Sequence, residues 1–204
     1  MEKKEISKIL NNPEIFQINR LEAHSDHLYF ETLDSAKNLE EIELKQSLNG
    51  TWKFQFSKNL DEREEEFYKE NFDSNHFKDI IVPGHIQLQG FDRMQYINTL
   101  YPWDGREQLR PPHISEVDNP IGSYIKEFEL NDNLINKDIF ISFQGVETAF
   151  SFWINGNFVG YNEIGERNNL VYQLLNYFLS PIFFIFFSYS LTKNNYFFIN
   201  PSFS

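Results

Sequence analysis

Asn155-Gly156 stands between two apolar runs, Ala149-Phe150-Ser151-Phe152-Trp153-Ile154 and Asn157-Phe158-Val159-Gly160-Tyr161. A two-residue hairpin turn needs positive φ at both positions, which Asn and Gly tolerate, so the pair predicts two antiparallel strands joined by a tight turn. Nothing else in the chain constrains the fold as much. Other strand signals agree with it. Asn49-Gly50 precedes Trp52, Phe54 and Phe56, which alternate with polar residues as in a half-buried strand. Ile80-Ile81-Val82 is a short buried strand stopped by Pro83-Gly84. Ser123–Leu130 alternates, carrying Tyr124, Phe128 and Leu130, and Asp138–Phe143 reads as a buried strand. Short strands with long loops and little helix predict an antiparallel β-sandwich or barrel.

The two ends differ from this middle. Residues 1–45 are polar with scattered apolar positions and no sustained period. They read as an extended arm, with room for a short helix near Ser35–Lys45, that needs a surface to lie against. The run Asp61-Glu62-Arg63-Glu64-Glu65-Glu66 reads as a solvated loop or short helix. From Glu163 to Ser204 the charged residues are Glu163, Glu166, Arg167 and Lys193; Phe, Ile, Tyr, Asn and Ser dominate. Three readings compete for residues 164–204. Leu170–Leu191 reaches the roughly 20 residues of a membrane span, but Gln173, Asn176, Ser180 and Pro181 interrupt it. A pair of buried strands is the second. The third, and the expectation, is AT-rich DNA read out of frame, because the tail lacks the turn chemistry and polar alternation of the rest.

The net charge of −12 supplies no basic footprint for nucleic acid or anionic lipid. Without cysteine there is no disulfide framework and no thiolate chemistry. No apolar segment follows Met1-Glu2-Lys3-Lys4-Glu5, so no signal peptide is read and a cytoplasmic protein is expected.

Residues 84–123 are mostly irregular, and an ordered loop of that length in a compact domain tends to be functional. Within it, Gln95-Tyr96-Ile97-Asn98-Thr99-Leu100-Tyr101-Pro102-Trp103-Asp104 gathers three aromatics, two amides and an acid. Aromatic faces lie against the C–H faces of a sugar, and amides and carboxylates bond its hydroxyls. An aromatic core corner at the end of a strand explains the same composition. Asp104 and Glu107 have the chemistry to bond hydroxyls or, equally, to cap the loop. His24-Ser25-Asp26-His27 has metal-ligand residue types but no third cluster, so a solvated or interface role is expected. His85 and His113 default to loop packing or hydrogen bonding.

An ordered set of motifs runs through residues 13–163. Asn19-Arg20-Leu21-Glu22-Ala23-His24 and Leu48-Asn49-Gly50-Thr51-Trp52-Lys53-Phe54 come first, then Val82-Pro83-Gly84-His85-Ile86-Gln87-Leu88-Gln89-Gly90-Phe91-Asp92. Tyr96-Ile97-Asn98-Thr99-Leu100-Tyr101-Pro102 and Asn119-Pro120-Ile121-Gly122-Ser123-Tyr124 follow. Phe143–Phe150 and Trp153-Ile154-Asn155-Gly156 complete the set. Together they resemble the N-terminal sugar-binding domain of the family 2 β-galactosidases. The resemblance implies an all-β jelly-roll β-sandwich over residues 46–163, incomplete at its C-terminal end. It implies a galactoside partner contacted by Asn98, with Tyr96, Tyr101, Trp103 and Asp104 as weaker candidates. Full-length members of the family are homo-oligomers and resemble Mg- and Na-dependent enzymes; no cofactor and no metal site is expected in this chain.

Retaining glycosidases use two carboxylates about 5–5.5 Å apart. In the family that these residues resemble, both are Glu on a downstream barrel, a unit of about 250 residues. Asn162-Glu163 imitates the family's acid/base dipeptide but follows a sandwich hairpin, so no catalytic residue is assigned. The family's Trp-Ser-Asp-Gly strand, whose Asp contacts sugar and sodium, has no counterpart. The expectation is the sugar-binding part of a β-galactosidase, inactive alone. A stand-alone carbohydrate-binding module and, lower, a membrane-tethered binding domain are the alternatives.

Overall fold

The computed structural model describes residues 2–22, 30, 32–40, 45–92, 103, 106–110, 112–135, 137–146, 149–163, 170–173, 182–190 and 198–199. Strands dominate. In chain order they are β1 (Gln17–Ile18), β2 (Gly50–Ser57), β3 (Lys78–Val82), β4 (Ile121–Glu129), β5 (Phe140–Gly145), β6 (Ala149–Ile154), β7 (Asn157–Glu163), β8 (Leu170–Gln173), β9 (Ile182–Ser190) and β10 (Phe198–Ile199). Seven form one sheet in the order β1-β7-β6-β9-β4-β2-β3, and three form a second, β10-β5-β8. Every recorded pairing is antiparallel.

The hairpin forms where the sequence places it. Asn155 and Gly156 take φ of 47° and 76°, the left-handed pair that a tight hairpin turn requires. The register slips between Phe152 and Trp153, because Phe152 faces Gly160 while Trp153 faces Phe158. Val159 is the extra residue of this bulge, and it points into the main core while Phe158 packs on the other side.

The main core lies between the two sheets. Trp52, Phe54, Tyr124, Phe150, Phe152 and Ile154 from the large sheet meet Ile141 and Phe143 from the small one. Phe143 sits 5.0 Å from Phe150 and 5.1 Å from Phe152, ring centre to ring centre. Each such ring, fully buried, contributes about 1.5–3 kcal/mol relative to exposure. The architecture is an antiparallel β-sandwich, as the sequence predicts.

The opposite face of the large sheet is also covered, so both faces of β4 carry buried residues. Tyr124 enters the inter-sheet core, while Ile125 enters a second cluster with Ile6, Phe67, Phe77 and Trp153. All six residues of β6 are buried for the same reason. The cover comes from residues 58–77 and a helix, α1 (Lys3–Leu10). Alternation fails as a guide wherever a strand is covered on both faces.

The arm is therefore not extended throughout. Ile6, Ile9 and Leu10 of α1 share one helical face and dock on the sheet. A second helix, α2 (Leu33–Asn38), begins two residues before the expected window, capped by Thr32. Within the charge run, Arg63 is buried and lies 5.3 Å from the centre of the Phe67 ring. Burial lowers its guanidinium pKa to about 10, so it stays charged at neutral pH.

Residue 163 marks a change of composition, and the backbone beyond it supplies β8, β9 and β10. β9 runs between β4 and β6, with Ser188 opposite both Ser123 and Ser151. No described helix is long and apolar enough to cross a membrane.

Candidate functional site

Residues 93–102 lie outside the described residues, and structured segments flank them on both sides. The first begins as β3 ends. The Gln89 side chain grips Ile81 at both backbone groups: Ile81 N–H donates to Oε1 at 2.7 Å, and Nε2 donates to the Ile81 carbonyl at 3.0 Å. This closes part of the exposed edge of β3, which would otherwise present free ladder groups. Two residues later Phe91 packs edge-on against Phe54 of β2 at 4.6 Å, with the Lys78 ammonium 5.7 Å from its ring centre.

The second flank is a knot joining Trp103, Arg106 and Glu107 to residues 115–118. Trp103 adopts φ of 67°, uncommon outside glycine. Its indole N–H donates to the Asp118 carbonyl, and its own carbonyl accepts from the amides of Arg106 and Glu107 at 2.9 and 3.0 Å. The Arg106 guanidinium returns to the Asp118 carboxylate at 3.4 Å. Ser115 Oγ donates to Glu107 at 2.6 Å and accepts from the amides of Val117 and Asp118. The knot is tied to the scaffold three times. Asn59 Nδ2 donates to the Val117 carbonyl, Asn119 N–H to the Lys58 carbonyl, and Ile114 N–H to Asn11 Oδ1.

Asn98, Tyr96, Tyr101 and Asp104 lie outside the described residues, as does His24-Ser25-Asp26-His27. Trp103 and Glu107 are described, and both spend their polar atoms within the knot. For Glu107 the loop-capping alternative is the one observed. His113 donates its backbone N–H to the Arg110 carbonyl in a turn.

Asn162-Glu163 serves the arm. Arg20 Nη1 donates to buried Asn162 Oδ1 at 2.9 Å, and Asn19 Nδ2 donates to the Val159 carbonyl at 2.8 Å. Glu163 accepts the Tyr161 hydroxyl at 2.6 Å, and its amide donates to the Phe16 carbonyl. Burial pushes the Glu163 carboxyl above its ordinary range, with the tyrosine hydroxyl pulling the other way. Burial also raises the Tyr161 phenol. Sequence reading marked Asn19-Arg20 by resemblance only. Its role follows from the pairing of β1 with β7. Gln89 and Ser115 carried no local signal, because their partners are backbone groups and loop residues.

Among the described residues no three His, Asp or Glu side chains gather so as to hold a metal ion.

Residues 45–180 match the family described as glycosyl hydrolases family 2, sugar binding domain. The chain belongs to this family. The match runs past the compositional change at Glu163. The chain is 57% identical over 154 residues to the β-galactosidase of Clostridium acetobutylicum, covering 76% of this chain and 17% of that protein. It is 51% identical over 158 residues to that of Streptococcus thermophilus, covering 78% and 15%. With the β-galactosidase large subunit of Leuconostoc lactis it shares 45% over 166 residues, covering 76% and 26%. The chain thus spans between 15% and 26% of the length of these relatives.

Two solved structures carry the family's fold likeness. A family 2 glycosyl hydrolase from Bacteroides cellulosilyticus superposes with a TM-score of 0.55 at 16% identity, over 79% of this chain and 21% of that one. The β-glucuronidase of Ruminococcus gnavus gives 0.53 at 17%, over 83% and 24%.

Proposed function

We propose that this chain is the sugar-recognition part of a β-galactosidase, and that the 204 residues alone bind a terminal β-galactoside without hydrolysing it. The observation that carries the reading is identity above 50% to β-galactosidases over a stretch of about three-quarters of the chain. The loop 93–102 is the contact surface, with Asn98 bonding the galactosyl hydroxyls and Tyr96, Tyr101 and Asp104 beside it. Two supports are on hand: the residues flanking that loop on both sides are fastened to the sandwich, and the dipeptide Asn162-Glu163 is committed to arm docking.

The same reading includes a jelly-roll winding of the sandwich, a cytoplasmic location, no cofactor held by this chain, and homo-oligomers for the longer proteins. Net charge of −12 favours a sugar over nucleic acid or an anionic membrane as the partner. An out-of-frame origin of residues 164–204 belongs with it. The nucleotide sequence after codon 163 tests that origin: a second frame encoding a Trp-Ser-Asp-Gly strand supports it, and an uninterrupted single frame in independent isolates refutes it.

Purified chain incubated with a chromogenic β-galactoside tests the function. No release of chromophore is expected. Turnover abolished by Glu163→Gln would overturn the reading.

A further inference from the structure

We propose that Gln89 is a built-in guard of the β3 edge, and that without it this edge pairs with the β3 of a second copy of the chain. Among the described residues β3 is the last strand of the seven-stranded sheet, with β2 on one side and no strand on the other. In an antiparallel ladder alternate residues turn their N–H and C=O toward the neighbouring strand, and the residues between them turn theirs away. The Ile81 N–H and C=O are both taken by the Gln89 side chain, so Ile81 and, two residues earlier, Asp79 are the outward rungs of β3.

Those rungs are self-complementary. A second β3 laid antiparallel about a twofold axis at Ile80 sets Asp79 of each copy opposite Ile81 of the other. Each such pair exchanges both of its backbone hydrogen bonds. Every pair includes an Ile81, so a clamp on that one residue in each copy removes the whole ladder. The Gln89 amide does this as a strand's peptide group would, accepting from the Ile81 N–H at 2.7 Å and donating to its carbonyl at 3.0 Å. Its neighbours set its position. Gln89 ends a single 3-10 turn (Gln87–Gln89) preceded by Ile86, which is buried in the main core, and followed by Phe91, which packs on Phe54. The amides of Gln89 and Phe91 both donate to the Ile86 carbonyl. Gly84 leaves the room that the clamp needs: a Cβ there would stand 2.7 Å from Gln89 Nε2 and 2.9 Å from the Ile81 carbonyl oxygen. Ile81 is 54% exposed and Leu88 73%, so an opened edge carries apolar side chains beside its unpaired backbone, the combination that favours edge-to-edge association.

The test uses the whole chain, amide hydrogen exchange, and sedimentation over a concentration series. In dilute Gln89→Ala the Ile81 amide should exchange about tenfold faster, while the β2 and β4 amides stay protected. The concentration at which the chain doubles its mass should fall about tenfold or more below the wild-type value, because main-chain bonds at a sheet edge supply affinity. In the associated form the Asp79 and Ile81 amides should be protected together. Ile81→Lys added to Gln89→Ala should return the mass to the wild-type course, since a lysine blunts an edge. Gly84→Ala displaces the clamp with Gln89 intact and should reproduce both changes; it also decides the matter if Gln89→Ala loses its β2 and β4 protection. Unchanged exchange at Ile81 overturns the clamp. Faster exchange with wild-type association overturns the guard. Association that leaves the Asp79 and Ile81 amides unprotected, or that survives Ile81→Lys, runs through another surface and overturns the twofold pairing.

Discussion

Arg20 reaches across the end of the sheet to donate a 2.9 Å hydrogen bond to Asn162, a residue 1% exposed on β7. That contact lies beside the two-residue pairing of β1 with β7, so it acts as the fastening of an otherwise short strand. A hydrogen bond involving a charged group contributes about 1.5–3 kcal/mol. Arg20→Ala should lower stability by about 1–3 kcal/mol in a denaturant melt. Amide exchange at Ile18 should rise with it, while the β2–β4 amides keep their relative order. A melt unchanged within a few tenths of a kcal/mol would show that the arm holds without the fastening.

Gly122 faces the rings of Phe54 and Tyr124. A Cβ added there would stand 2.7 Å from one ring and 2.9 Å from the other. Both rings sit in the main core, so neither has an easy retreat. Gly122→Ala should destabilise by about 1–3 kcal/mol, the usual cost of overpacking. Chemical denaturation of the two proteins side by side decides it, and equal midpoints would mean that the rings yield freely.

Gly156 sits at φ of 76° in the β6–β7 turn. Any side chain there carries the left-handed penalty of about 1–2 kcal/mol. Gly156→Ala should lower the melting midpoint accordingly, whereas Asn157→Ala, outside the turn's strained pair, should cost less. The reverse ranking would contradict the turn assignment.

Glu163 gives a pH dependence with a definite sign. Its carboxyl is held above the ordinary range by burial, so the folded state binds the proton more tightly than the unfolded chain does. The associated stability is fully present below the unfolded pKa and is lost as pH rises through the folded one. Measured against Glu163→Gln, which does not titrate, the wild-type chain should lose relative stability as pH rises above the ordinary carboxylate range. A difference constant over that rise would contradict the assignment.

Much of the sandwich was legible because its strands announce themselves locally. Asn155-Gly156 marked the hairpin, and Trp52 and Phe54 marked β2. β4 was legible as a strand with Tyr124, Phe128 and Leu130 on one face, while the burial of Ile125 on the opposite face was not. α1 was missed although Ile6, Ile9 and Leu10 carry helical spacing. Eight residues make a weak periodic signal, and what stabilises it is docking on distant Phe67 and Trp153. The candidate stretch was legible by its residue types, while the contacts of the residues flanking it were not. Trp103 and Asp118, or Gln89 and Ile81, meet through backbone groups that every residue carries.

Calorimetric titration of galactose into the folded chain and into Asn98→Ala tests the central claim most directly. Saturable binding by the wild-type chain, weakened at least tenfold in the variant, is the result predicted. Identical titrations of the two proteins, or no binding by a wild-type chain whose core amides are protected, would contradict it.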